Sequence, residues 1–217
     1  MNILLLGAPG SGKGSQAEQI LKDFGYVQIS TGDLLRDSLS RKTPDGVLAG
    51  EYMSKGELAP DELVLRILKE RLNRPDCGKG VIFDGFPRTV TQAEKLDTIL
   101  KEKGNNLDLV LNIESPFNVL ISRLLSRRVC SSCGKTYNTI SNPPRDNLCS
   151  VCGGNVVSRP DDREEVIKNR LEVYTQNTRP LIEYYEKKDI LFSIDGDRSV
   201  QDIYDDVKKL IKEQGKD

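Results

Sequence analysis

The chain opens on an apolar run, Ile3 to Leu6, that stops at Gly7. Consecutive apolar positions without polar alternation mark a strand covered on both faces. The period then changes. Ala17, Ile20, Leu21 and Phe24 fall at i, i+3, i+4 and i+7 with Gly25 behind them, which predicts an amphipathic helix with a glycine stop. Short runs at Tyr26 to Ile29, Val81 to Asp84, Leu107 to Ile113 and Ile190 to Ile194 predict four further strands. Helical patterns between them carry start signals: Pro60 before Asp61 to Leu72, Ser115 and Pro116 before Phe117 to Leu125, and Ser199 before Val200 to Ile211. Strand–helix alternation of this kind predicts an α/β fold, a parallel sheet flanked by helices.

Two segments interrupt the alternation. Residues 30–59 hold two helical patterns and no strand, with Pro44, Gly46, Gly50 and Gly56. Residues 127–162 hold a cysteine cluster, Asn142-Pro143-Pro144, Gly153-Gly154 and Pro160, with a β-like piece at Lys135 to Ile140. Each is too long for a structureless loop and predicts a small lobe inserted into the sheet scaffold. Pro180 lies inside a helical stretch from about Arg163 to Lys187 and should kink or divide it.

Composition narrows the chemistry. The 217 residues are 37 % hydrophobic and 30 % charged with net charge −1, as in a globular chain able to bury a core. A balance so near neutral argues against a polybasic nucleic-acid or membrane surface. There is no histidine, which excludes Ser-His-Asp and Cys-His catalysis, His-ligated metals and a His pH switch. No stretch is apolar enough to span a bilayer, and MNILLLGAPG has no cationic lead, so a cytoplasmic protein is expected.

Directly after the first predicted strand stands Gly7-Ala8-Pro9-Gly10-Ser11-Gly12-Lys13-Gly14-Ser15. This is phosphate-loop spacing: glycines let backbone N–H groups converge on an anion, the helix N-terminus adds its dipole, and Lys13 reaches the terminal phosphates. Gly14 occupies the place of the hydroxyl residue that usually follows the lysine, and Ser15 comes one position late. Mg²⁺ is then expected to be held by nucleotide oxygens and water, with Asp84, at the carboxyl end of its strand, orienting that water.

Cys130-Ser-Ser-Cys133-Gly and Cys149-Ser-Val-Cys152-Gly form two CxxC knuckles. Four thiolates on two tight turns fill a tetrahedral site completely, which predicts a structural Zn²⁺ and not a catalytic one. Iron would share this spacing. Cys77 has no partner pattern. A nucleic-acid-binding zinc ribbon coupled to an ATPase is disfavoured, because the cluster has few aromatics beyond Tyr137.

The phosphate loop followed by Ser30-Thr31-Gly32-Asp33 with Arg36, then Asp84-Gly85-Phe86-Pro87-Arg88 with Gln92, resembles the adenylate kinases, within the nucleoside monophosphate kinases. Arg127-Arg128, Arg159-Pro160-Asp161-Asp162 and Arg170 continue the match in order to the far side of the cysteine cluster. The resemblance implies a P-loop five-stranded parallel sheet as core (1–29, 60–126 and 163–217), a helical AMP-binding insertion (30–59), and a zinc-binding lid (127–162) of the long bacterial type. It implies reversible, Mg²⁺-dependent phosphoryl transfer from ATP to AMP, giving two ADP, by a monomer. Another nucleoside monophosphate as acceptor is the alternative, with Gln92 and the long lid favouring AMP.

Site residues follow from the same resemblance. Gly10, Ser11, Gly12, Lys13, Gly14 and Ser15 would hold the ATP phosphates, with Arg123, Arg127, Thr136, Tyr137 and the main chain at Arg198 on the ATP side. Thr31, Arg36, Glu57, Leu58, Ala59, Gly85, Phe86, Pro87, Arg88 and Gln92 would hold AMP, with Gln92 reading its base. Lys13, Arg88, Arg127, Arg159, Arg170 and Asp84 would serve the transfer, and Arg159 and Arg170 would also touch AMP. Helical spacing places Arg123 one turn before Arg127, which predicts that both face one side.

Overall fold

The computed structural model describes residues 1–215. Its core is a five-stranded sheet made of β1 (Asn2–Leu6), β2 (Val27–Ser30), β3 (Val81–Asp84), β4 (Leu109–Glu114) and a last strand, β8 (Leu191–Asp195), in the order β2-β3-β1-β4-β8 with every pairing parallel. The unbroken apolar runs follow from burial on both faces. Leu4, Leu6, Phe83 and Val110 belong to one apolar cluster, while Ile3, Leu5, Ile82, Leu109 and Leu111 belong to the other, the period-two division of a pleated strand.

Helices cover both sides. α1 (Lys13–Phe24) and α9 (Val200–Gln214) close the second cluster through Ala17, Ile20, Val207 and Ile211. α4 (Asp61–Leu72) and α5 (Val90–Glu102) close the first. α5 is not signalled by the apolar pattern. Its buried stripe is Gln92, Ala93, Leu96, Ile99 and Leu100, so its first turn shows a polar and a small residue where large apolar ones would have given it away. α6 (Phe117–Leu125) follows β4.

The 30–59 segment is the pair α2 (Thr31–Ser40) and α3 (Pro44–Lys55), N-capped by Ser30 and Thr43. The cysteine-bearing segment folds as a three-stranded antiparallel sheet, β6 (Thr136–Asn138), β5 (Arg127–Cys130) and β7 (Val156–Val157) in that order. Its small core consists of Cys130, Tyr137, Cys149 and Val156. Pro180 does divide the late helix. α7 (Glu164–Val173) runs into a π turn at Tyr174–Thr178 before α8 (Leu181–Glu186), since a proline inside a helix removes an N–H and crowds the preceding turn. Among the described residues no helix is long and apolar enough to cross a membrane.

Candidate active site

Glycines of the phosphate loop are placed by backbone constraint. Gly7 has φ +138°, and a Cβ there would lie 2.4 Å from the Ile113 carbonyl oxygen, so only glycine lets β1 turn this closely past β4. Gly12, with φ +102°, is the N-cap of α1 and has no side chain to close the first turn. In contrast, α2, α3, α5 and α9 are capped by Ser30, Thr43, Thr89 and Ser199. The uncapped turn carries Lys13, Gly14 and Ser15 and keeps its N–H groups and positive dipole end for an anion.

The Lys13 ammonium is held over the loop by the carbonyls of Gly7 and Ala8, donating to them at 2.7 and 2.9 Å. Burial lowers its pKa to about 8. Asp84, at the end of β3, works in the opposite direction, and the cations of Arg88, Arg170 and Arg127 reinforce the drop. Asp84 is itself held by Gln28, whose Nε2 donates to it at 3.1 Å.

Five guanidinium groups from separate elements share the cleft with that lysine, and three of them, Arg88, Arg170 and Arg127, act on it directly. Arg127 grips Asp162 through Nε and Nη2 at 2.7 and 2.5 Å, and Arg170 donates to the carboxylates of Asp161 and Asp162, both at 3.1 Å. Arg36 pairs with Asp33 at 2.5 Å and lies 3.7 Å from Asp161. Arg88 donates Nε to the Gly85 carbonyl at 2.8 Å, and the Thr178 hydroxyl donates to its main-chain carbonyl at 3.0 Å. Burial and the neighbouring Arg170 lower Arg88 to about 10. Burial, Arg127 and Arg36 lower Arg159 to about 10 as well. Among the described residues the buried Nε–H of Arg159 also meets no acceptor. For Asp161, burial pushes the carboxyl upward, but Arg170, Arg36, Arg127 and Arg159 together outweigh it and hold the carboxyl below its usual range. Like charges packed this closely are costly without anions to share them, and the cleft is cationic on balance.

Beside the cluster lies a pocket between α2, α3 and the β3–α5 turn. Its polar wall is Thr31, Arg36, Arg88, Gln92 and Arg170; its apolar wall includes Leu35, Met53, Leu58, Ala59 and Val64, with Glu57 and Gly85 at its edge. Thr31 donates its hydroxyl to the Gly85 carbonyl at 2.8 Å. Phe86 and Pro87 do not line it. Phe86 is a core side chain, so this dipeptide shapes the turn from behind. Gly56, with φ +78°, brings the end of α3 against α7, where a Cβ would meet Arg170 Cγ at 2.8 Å.

One expectation is corrected by the geometry. Arg123 and Arg127 do not share a helix face, because α6 ends at Leu125 and Arg127 begins β5. Arg123 instead donates to the Gly196 carbonyl at 2.9 Å and lies 3.7 Å from Asp197. Tyr137 turns its side chain into the lid core, where its hydroxyl donates to Cys149 Sγ at 3.3 Å and accepts from the Ser150 N–H at 2.8 Å, while its neighbour Thr136 is exposed. The Arg198 side chain pairs with Asp206 at 2.5 Å along α9. Sequence reasoning also left the carboxylates Asp33, Asp161 and Asp162 without a task. Their signal was present, since each stands within a few residues of a clustered arginine.

The four clustered cysteines converge. Their Sγ atoms all lie within 4.8 Å of one another, with Cys130 to Cys152 at 3.4 Å and Cys133 to Cys149 at 3.5 Å. A disulfide requires about 2.05 Å. A tetrahedral ion with bonds of about 2.3 Å spaces its sulfurs by about 3.8 Å. The knuckle amides fit the same purpose: Ser132 and Cys133 donate to Cys130 Sγ, and Val151 donates to Cys149 Sγ. The Tyr137 hydroxyl, ahead of burial, which opposes it, holds Cys149 down to about 6. These thiols can hold a metal ion.

A glycine-built anion loop between the first strand of a parallel sheet and its helix, roofed by guanidiniums, defines the P-loop nucleotide-binding class. A sequence profile described as Adenylate kinase matches residues 5–190. Proteins named Adenylate kinase from Thermoanaerobacter sp. (strain X514), Bacillus subtilis (strain 168) and Archaeoglobus fulgidus are 50 %, 48 % and 47 % identical to the chain. These matches cover 100 %, 97 % and 98 % of the chain and 100 %, 98 % and 98 % of the relatives. The chain belongs to the adenylate kinase family.

Proposed function

We propose that the protein transfers the γ-phosphoryl group of ATP to AMP, reversibly and with Mg²⁺, giving two ADP and so balancing the adenine nucleotide pool of the cytoplasm. The observation that carries this reading is the convergence of Lys13, Arg36, Arg88, Arg127, Arg159 and Arg170 between a phosphate loop and a second, Gln92-lined pocket. The acceptor is a phosphate monoester, whose second pKa of about 6 leaves it ionised at neutral pH. No general base is then required, in keeping with a chain that lacks histidine. What remains is alignment and neutralisation of oxygen charge. Guanidinium forks suit that task, since each can hold two phosphate oxygens in a fixed plane.

In this reading Gly10 to Ser15 cradle the ATP phosphates and Lys13 turns from the carbonyls of Gly7 and Ala8 to the terminal phosphates. Arg36 and Arg88 hold the AMP phosphate, and Arg127, Arg159 and Arg170 exchange part of their carboxylate contacts for the transferring group. The buried, unpaired Nε–H of Arg159 supports this assignment. Arg123 and the main chain at Arg198 flank the ATP base, and Thr136 lies at the edge of that side. Gln28-held Asp84 would orient water around a Mg²⁺ held by nucleotide oxygens and water. Bound there, the ion would draw charge from the phosphate oxygens. Cys130, Cys133, Cys149 and Cys152 fit a structural Zn²⁺ that ties the lid together.

Residues 30–59 and 127–162 act as moving lobes on a core formed by 1–29, 60–126 and 163–217, closing over AMP and ATP respectively so that water is excluded before transfer. One assay tests the activity: ATP, AMP and Mg²⁺ are mixed and ADP is followed. ADP formed faster than ATP is hydrolysed is expected. Production of ADP only with UMP, CMP or GMP would reassign the acceptor.

Lys13 gives the site a pH dependence. Its folded-state pKa of about 8 lies below the ordinary lysine value of 10.5. Between these two values the unfolded chain holds the proton more tightly, so the unliganded fold gains stability as pH rises through that window. Binding of ATP runs the other way, because it needs the ammonium. Equilibrium ATP affinity is expected to fall as pH passes about 8, and Lys13→Met is expected to weaken binding and flatten that fall.

A further inference from the structure

Gln92 is 2 % exposed and lines the proposed AMP pocket. Half of its amide is already committed. Oε1 accepts from the Arg88 main-chain N–H at 2.7 Å, and Nε2 donates to Asp61 Oδ1 at 2.6 Å. A main-chain N–H can only donate and an ionised carboxylate can only accept. The two partners therefore demand the same orientation of the amide, one from each end. Both are anchored in backbone: Asp61 is the first residue of α4, behind its N-cap Pro60, and Arg88 stands between β3 and α5.

What the amide retains for a ligand is one N–H and one lone pair. That pair matches a 6-aminopurine, which offers an acceptor at N1 and a donor at its exocyclic nitrogen. A 6-oxopurine presents the reverse, a donor at N1 and an acceptor at O6. To read it, the Gln92 amide would have to turn over. Oε1 would then oppose the Asp61 carboxylate, and Nε2 would oppose the Arg88 N–H. Two mismatched polar contacts in a buried place each cost on the scale of a lost hydrogen bond.

We infer that Asp61 is a positioning residue which, by accepting from Gln92 Nε2, fixes the polarity of the Gln92 amide and so selects 6-aminopurine over 6-oxopurine monophosphates. The role rests on the reading of Gln92 as the base-contacting residue. It uses a property that asparagine lacks. An asparagine amide in place of the Asp61 carboxylate could present either its oxygen or its nitrogen, and would follow Gln92 through the reversal. A merely structural Asp61 would affect both acceptors alike.

The test compares kcat/KM for AMP and for IMP, at fixed Mg-ATP, in the wild-type protein, Asp61→Asn, Asp61→Ala and Gln92→Ala, with the melting temperature of each. In Asp61→Asn the AMP-to-IMP ratio is expected to fall about tenfold, carried by KM and not by kcat. Asp61→Ala, which also removes the opposing carboxylate, should lower the ratio in the same sense and serves if the Asp61→Asn variant does not fold. A ratio within twofold of wild type in both Asp61 variants, with discrimination lost in Gln92→Ala, would overturn the role of Asp61 and leave the base reader in place. Discrimination retained in Gln92→Ala as well would remove the pocket reading together with the inference.

Discussion

Replacing Arg88 with alanine is expected to lower turnover about 10³-fold, the scale on which a single guanidinium supports phosphoryl transfer, while shifting the melting temperature by only a few degrees. The two halves of this expectation have one cause. Arg88 is held among like charges, with its pKa lowered to about 10 by burial and Arg170. Its cation therefore costs the folded state something that its hydrogen bond to the Gly85 carbonyl only partly offsets. Deleting the side chain relieves that repulsion and loses the fork needed by the phosphate. Steady-state rates with ATP and AMP, beside a thermal melt, check both halves. A large loss of stability with activity intact would contradict the assignment.

The second large effect concerns the metal. The lid core holds Cys130, Tyr137, Cys149 and Val156, so two of its four buried side chains are thiols and little apolar surface remains to hold the lobe. Small lobes of this kind take their folding free energy from the ion. Cys130→Ser, or removal of the metal by a strong chelator, is expected to lower the melting temperature by about 10 °C or more, since each kcal/mol is worth roughly 2–4 °C in a chain of this size. Chemistry at low temperature should persist, because none of the thiols belongs to the cationic cluster. Metal analysis of the native protein settles the premise: a chain isolated without bound zinc or iron, or a Cys130→Ser variant that melts with the wild type, would remove it.

How much of this was legible from residues alone depended on how local the signal was. The sheet strands could be read because burial on both faces writes an unbroken apolar run. α4 and α6 began where Pro60 and Pro116 said they would. α5 escaped because its first turn gives buried positions to Gln92 and Ala93, residues that serve the pocket edge and its backing. β5 and β7 escaped because a metal-knuckle lobe has too few apolar residues to set a period. Helical spacing from Arg123 misplaced the face of Arg127 for the same reason: no strand signal follows the helix end at Leu125. The arginine set could be found by order along the chain. Its carboxylate partners were legible only in part: Asp33 meets Arg36 three residues away on α2, whereas the approach of Arg36 to Asp161 is decided by how the lid meets α2, a long-range fact.

The π turn between α7 and α8 bears on the cluster from a distance. An α-helix advances about 100° per residue, so one extra residue accommodated in a wide turn rotates everything after it by about that angle. Thr178 ends that turn, and its hydroxyl holds the Arg88 carbonyl. An unbroken helix would carry Thr178 to another bearing and leave the carbonyl unsupported. The main chain of an arginine on one side of the sheet is thus tuned by helix phase some 90 residues later in the chain, and the proline that breaks the helix belongs, by this route, to the setting of the site.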